Sequence, residues 1–211
     1  MTFKTILPGD MVMTNTKGAV KKMAKAAKLK VVPKAAPTKL DIGCGKNKRE
    51  GFTGVDQYEM DNVDIVCDLR KPWPFEDDSI EEIYCSHFIE HLESKDRVHF
   101  YNELYRVMKK DAKATVIVPH WCSNRAYGDP THAWPPVSEM SFYYLSQVWR
   151  KTQAPHTDSF YNKDGFKCDF EATWGYSMHP TIMTRNQEFQ QFAIGFYKEA
   201  AQDMIATLTK R

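Results

Sequence analysis

Three aspartates close three successive apolar runs: Asp41 in TKLDIGCG, Asp56 in FTGVD and Asp68 in VDIVCD. Gly43, Cys44 and Gly45 follow the first almost at once. Glycine removes Cβ bulk so that a ligand can approach the backbone, and carboxylates at strand ends accept hydrogen bonds from ribose hydroxyls or an exocyclic amine. Together they describe a nucleoside-binding edge. A second group lies in VPHWCSNRAYGDPTHAWPP, which holds His120, Cys122, Tyr127, Asp129, His132 and Trp134. His120, at the end of an apolar run, is the first candidate for a general base, with Asp129 and His132 as alternatives or as an orienting pair. Glu90 and His91 are expected to pack or cap a short helical turn. His120, Asp129 and His132 are irregularly spaced and form no closed ligand set, so no metal site is expected. The five cysteines, Cys44, Cys67, Cys85, Cys122 and Cys168, contain no C-x-x-C pair and signal neither zinc nor a disulfide framework. They are read as reduced, with Cys67 and Cys85 in strands.

The elements that must position these groups follow from periodicity. Strands are expected over 39–44, 51–56, 63–67, 82–86 and 114–118, the last stopped by Pro119, and the prolines at 72 and 74 forbid a helix between the third and fourth. Ser94 is a plausible N-cap for a helix over 94–109, with Val98, Tyr101, Leu104, Tyr105 and Met108 on one stripe and Lys109-Lys110 at its negative end. Beyond His120 a long irregular segment precedes a helix over 137–150, the pattern of a lid or substrate region around 120–150. A strand with its turn over 166–176, a helix over 186–200 and a last strand over 204–209 complete the chain. Strands alternating with helices argue for an α/β fold, a parallel sheet covered on both faces, with its ligand site beyond the carboxyl ends of the strands.

A chain of 211 residues suits one domain, here 37–211. Residues 1–36 are different: they carry eight lysines against one acid, Asp10, while the rest of the chain is net acidic. The Ala- and Lys-rich stretch 17–30 can be helical, and the segment reads as a contact for nucleic acid or an anionic membrane surface, or as a solvated flexible leader. No apolar stretch reaches the length of a bilayer span, and a cytoplasmic protein is expected.

The type of nucleoside ligand can be narrowed. A dinucleotide fingerprint needs a third glycine where this chain has Lys48, and no G-x-x-x-x-G-K-[ST] is present to grip a polyphosphate. An acid-rich rim suits a ligand carrying a sulfonium and an ammonium, which points to S-adenosylmethionine. At DIGCG, GVD, CDL, IYCSHFIEHL and LYRVMKKDAKATVIVP the chain resembles the class I S-adenosylmethionine-dependent methyltransferases, in order and spacing from about 38 to 120, and its GCG…GVD and DPTH motifs are similar to those of small methyltransferase-11-like proteins. The resemblance implies a Rossmann-like sheet of seven mostly parallel strands, helices on both faces and the last strand antiparallel. It also implies that Asp41, Gly43, Cys44 and Gly45 line the methionyl side of the cofactor. Asp56, with Gln57 beside it, would bind the ribose, Asp68 and Leu69 would border adenine, and Ser86 and His87 would sit under the methionine tail. Asp56 follows Gly45 so closely that the first helix must be clipped to a turn or two within 46–50.

Methyl transfer from a sulfonium asks mainly for in-line alignment and, for some acceptors, removal of a proton. The [DN]-P-P-[YF] motif of DNA amino-methyltransferases is replaced here by Cys85-Ser86-His87-Phe88, and a Pro-Cys nucleophile for cytosine carbon is missing. A small-molecule acceptor, aromatic or sugar-like, is therefore expected. The alternatives are a nucleic-acid or nucleotide methyltransferase that uses its basic head, and a catalytically silent protein that binds the cofactor. The sequence leaves the oligomeric state open.

Overall fold

The structure, a computed structural model, describes residues 36–157 and 165–211. All of the basic head but Ala36, including the expected helix over 17–30, lies outside the described residues. Seven strands form one sheet: β1 (Lys39–Ile42), β2 (Thr53–Asp56), β3 (Ile65–Val66), β4 (Ile80–Ser86), β5 (Met108–Pro119), β6 (Phe170–Met178) and β7 (Ala201–Lys210). Their order is β3-β2-β1-β4-β5-β7-β6. β1 to β5 pair in parallel, and β7 runs antiparallel to both β5 and β6, so the last strand alone is reversed.

Between β4 and β5 lies α1 (Ser94–Val107), and it supplies the one strand–helix–strand unit among β1 to β5. Phe100, Tyr101, Leu104 and Val107 of α1 join Leu40, Ile42, Val55, Ile65, Ile83, Cys85, Val116, Met204 and Leu208 in a single core cluster. Burial of this apolar surface, at roughly 25 cal/mol per Å2, is what drives the sheet and helix together. These strand residues alternate along their strands, so they share one face. The opposite face carries the register row Asp41, Tyr84, Thr115 and Thr207 and the neighbouring pair Ile117 and Ile205. Among the described residues much of that face is half-exposed, with Ile205 open to solvent.

The expected short helix after Gly45 is replaced by turns. Without helical hydrogen bonds, the amides of 43–52 must find other acceptors. Gly43 and Cys44 donate to the Val55 carbonyl and two carboxylates take further amides, Asp41 from Arg49 and Asp56 from Gly45, while Asp64 takes the amide of Gly54 in β2. The helix expected to reach Lys109 ends at Val107, because Met108 already pairs with Ile80 in the sheet. Lys109 lies in β5, bonded to Glu81 at 2.7 Å, and Glu93 rather than Ser94 occupies the N-cap. Cys67 lies just past β3 rather than in it.

The single helix expected over 137–150 is two, α3 (Glu139–Tyr143) and α4 (Gln147–Gln153), preceded by the one-turn α2 (Arg125–Gly128). Ser138 and Ser141 form a capping box on α3, and the Ser146 hydroxyl caps α4 by accepting from the Trp149 amide. The buried Arg150 guanidinium donates to the Tyr144 carbonyl between them. Side chains that bond the backbone locally divert it from continuous helix. After β6 come α5 (Pro180–Met183) and α6 (Gln187–Phe196), the latter capped by Asn186 through the Phe189 amide and ending short of the expected residue 200. Ala193 and Ile194 of α6 pack with Cys122 and Ala201 in a second, smaller cluster.

Candidate active site

The strand order reverses between β1 and β4, and ligands of open α/β sheets bind beyond the strand ends at such a point. Gly43, Cys44 and Gly45 leave β1 there, and Ser86 and His87 leave β4. Gly43 has φ +68°, and a Cβ on it would lie 2.6 Å from the Phe88 ring, so the bend requires glycine twice over. Gly45, at φ +51°, has nothing within 4 Å of where its Cβ would be. That side of the bend is open for a ligand.

The acids expected at this rim differ in their engagement. Asp41 is buried, its carboxylate 2.6 Å from the Arg49 amide; burial raises its pKa against that bond and the nearby Arg49 and Lys48 charges. Asp56 is half-buried and accepts from the Gly45 amide at 3.1 Å and the Tyr58 amide at 3.0 Å, each on a different oxygen. A carboxylate oxygen has a second lone pair, so both remain able to accept hydroxyls. Gln57 follows it, exposed. Asp68 is held down to about 2, first by hydrogen bonds from the Arg70 guanidinium, and Lys71 lies 3.5 Å away. Leu69 is buried and its carbonyl accepts from the Trp73 indole at 3.1 Å. The Cys44 thiol is pushed up to about 11 by burial and by Asp41 and Asp56, so it stays protonated.

His87 adopts φ 53° and meets the buried Glu90 carboxylate at 3.2 Å through Nδ1. That contact raises its pKa against the effect of burial.

The candidates beyond β5 separate into two places. His120 is fully buried. Its Nε2 lies 3.0 Å from Glu139 and its Nδ1 lies 3.0 Å from the Cys122 sulfur and 3.4 Å from the Cys122 amide. Facing a carboxylate, Nε2 carries the proton and Nδ1 accepts. Both ring nitrogens are thereby engaged. Glu139 also accepts from the Tyr176 hydroxyl at 2.7 Å. Burial would raise the Glu139 pKa, but the hydrogen bonds from His120 and Tyr176 outweigh it and bring it to about 2. Its side chain keeps 25% exposure and lines a cavity of about 490 Å3 with Trp121, Trp174 and Tyr176. Sequence reasoning missed Glu139, since nothing in its spacing ties it to His120.

Asp129 and His132 stand elsewhere, against the turn after β4. The Asp129 carboxylate accepts from the Thr131 amide and hydroxyl at 2.8 and 2.7 Å, an Asx-turn, and these bonds lower its pKa. His132 lies 3.8 Å from Asp129 and packs edge-on against His91, ring centroids 4.7 Å apart. His120 therefore does not join Asp129 and His132 in one cluster. Arg97 of α1 ties this segment down, donating to the carbonyls of Ile89, Leu92, Ala133 and Pro135 at 3.1, 2.8, 3.0 and 2.5 Å.

Residues 46–116 match the family described as Methyltransferase domain. No curated protein matches the chain. Similar solved structures include an S-adenosylmethionine-dependent methyltransferase from Archaeoglobus fulgidus, 19% identical with a TM-score of 0.56, over 82% of this chain and 85% of that one. Another is the 1,6-didemethyltoxoflavin-N1-methyltransferase of Burkholderia thailandensis, 11% identical with a TM-score of 0.52, over 82% and 71%. At such identities the likeness is one of fold. Among the described residues no helix is long and apolar enough to cross a membrane. With its strand order and its reversed last strand the chain has the fold of the class I S-adenosylmethionine-dependent methyltransferases, and its residues 46–116 match the methyltransferase domain family.

Proposed function

We propose that the protein transfers a methyl group from S-adenosylmethionine to a small-molecule acceptor, with the donor held where β1 and β4 diverge. The observation that carries this reading is the open space over Gly45, flanked by Asp56 and by Gly43, whose bend admits no side chain. The donor supplies a methyl already activated on a sulfonium. The backbone of Gly43, Cys44 and Gly45 approaches its methionyl part, with Ser86 and His87 beneath. Asp56 takes the ribose hydroxyls with Gln57 beside it, and Asp68 and Leu69 border the adenine. Asp41 acts through the loop, by holding the Arg49 amide.

The acceptor enters the cavity beside Glu139, where Trp121, Trp174 and Tyr176 offer faces for a flat molecule. The Burkholderia protein, solved with bound 1,6-didemethyltoxoflavin, supports that class of acceptor. A carboxylate held near 2 is a weak base but a dependable anion. Glu139 therefore receives an N–H or O–H of the acceptor, and His120 is the positioning residue behind it. Asp129 and His132 order the segment that closes over the turn after β4.

Titration calorimetry with S-adenosylhomocysteine tests the donor site. The wild-type protein should bind it and Gly45→Val, folded by circular dichroism, should not. Binding of nicotinamide or flavin nucleotides in its place would overturn the reading. Transfer of labelled methyl to a member of a metabolite panel distinguishes an enzyme from a silent binder.

A further inference from the structure

Glu90, His91 and His132 each present one ligand atom, and the three atoms lie within 4.8 Å of one another. Two of these residues hold buried polar atoms with no hydrogen-bond partner, Glu90 Oε2 and His132 Nδ1. Their side chains are only 6% and 11% exposed. An unpartnered buried carboxylate oxygen costs roughly 1–3 kcal/mol or more, so two unmet groups on two residues of one cluster call for an occupant.

The outer atoms of two of these residues are hydrogen-bonded, and that of the third faces a carboxylate. Glu90 Oε1 meets His87 at 3.2 Å, His91 Nδ1 meets the Thr131 hydroxyl at 3.1 Å, and His132 Nε2 faces Asp129 at 3.8 Å. Thr131 is itself anchored by Asp129. Metal-binding histidines generally fix their second nitrogen in this way, which sets the tautomer and aims the first nitrogen. The remaining atoms are Glu90 Oε2, His91 Nε2 and His132 Nδ1.

We propose that these three atoms bind one divalent first-row transition-metal ion, joining the turn after β4 to segment 129–133. Two imidazoles and one carboxylate suit zinc, manganese or iron rather than magnesium or calcium, and leave one or more positions for water or another ligand. Zinc bonds of about 2.1 Å place tetrahedral ligand atoms about 3.4 Å apart, so from a cluster bounded by 4.8 Å the ion draws the residues together by at most about 1.4 Å. The segments already meet through the Ala133 amide and the Glu90 carbonyl at 2.8 Å, and through Arg97. The ion completes a junction the backbone has begun.

The test uses the full chain, stripped with a chelator and titrated separately with Zn2+, Mn2+ and Mg2+. One equivalent of Zn2+ or Mn2+ should bind and raise the melting temperature, and Mg2+ should not. His132→Ala and the exposed-site variant His91→Ala should weaken binding by at least about 100-fold, the upper end of what even an outer partner is worth, and Thr131→Val by about 10-fold. Cobalt(II) spectra should show nitrogen and oxygen ligation without a thiolate band. Zinc binding unchanged in the folded His91→Ala protein, a thiolate band, or no binding by the wild type would each overturn the proposal.

Discussion

Replacing Glu139 by Gln isolates the charge that the buried His120 imidazole and the Tyr176 hydroxyl are arranged to hold. The ordinary glutamate value is 4.5 and in the fold it falls to about 2. Lowering a pKa tenfold in acid strength is worth about 1.36 kcal/mol, so the charge contributes at most about 3 kcal/mol at neutral pH. A folded-state pKa below the unfolded value gives stability that is complete above pH 4.5 and disappears as the pH falls towards 2. Gln keeps one oxygen for both donors but has no charge and does not titrate. Urea unfolding at pH 7 should find Glu139→Gln less stable by about 1–3 kcal/mol, the lower end reflecting solvent screening of its partly exposed side chain, and the gap should shrink by roughly half between pH 7 and 3. All other carboxylates titrate in both proteins and cancel in the difference. A gap that stays constant to within about 0.5 kcal/mol from pH 7 to 3 would refute the claim that His120 and Tyr176 stabilise the ionised form.

The two glycines of the bend should behave differently. Gly43→Ala drives a Cβ to 2.6 Å from Phe88 and should cost about 1–3 kcal/mol in urea midpoint analysis, whereas Gly45→Ala meets no atom and should cost about 1 kcal/mol for its positive φ alone. Equal losses would mean that the Phe88 contact does not decide the first. Arg97→Ala leaves several carbonyls of the turn after β4 and of 133–135 without a donor and should destabilise by about 3 kcal/mol or more. Hydrogen exchange should then lose protection first at the Ala133 amide; unchanged protection there would show that Arg97 does not hold the segment.

The strands were legible because their apolar residues gather in one cluster and the first two carry an acid at or next to their last residue, as in Val55-Asp56 and the LDI of β1. Element ends were less so. Met108 has a helix-compatible side chain, but pairing with Ile80 claims its backbone, and no local pattern announces a partner so distant in the chain. The break at Tyr144-Leu145 was hidden for a similar reason, since it depends on Ser146 and Arg150 bonding nearby backbone groups. Within the site, the glycine bend and its acids could be read from type and spacing. The association of His120 with Glu139, and of Glu90 and His91 with His132, arises from the way the irregular segment folds back, for which periodicity carries no signal.

The acids of the first loop explain how so short a connection holds its shape without a helix. A parallel crossover ordinarily uses a helix to satisfy its amides. Here Asp41 and Asp56 take loop amides instead, and Asp64, which holds the Gly54 amide of β2, receives Lys48 at 2.8 Å and closes the loop from the other side. For Asp64, burial opposes ionisation but the bonds from Lys48 and Gly54 prevail and lower its pKa. The loop is therefore built from charge-assisted bonds rather than from helical turns, and each such bond is about twice as strong as a neutral one. At Asp56 one oxygen fixes the Gly45 amide at the bend and the other fixes that of Tyr58, and each oxygen keeps a second lone pair. Under the function proposed above, a donor that takes those lone pairs engages the same carboxylate that shapes the bend, so its binding should order 43–58, and hydrogen exchange with and without S-adenosylhomocysteine checks this.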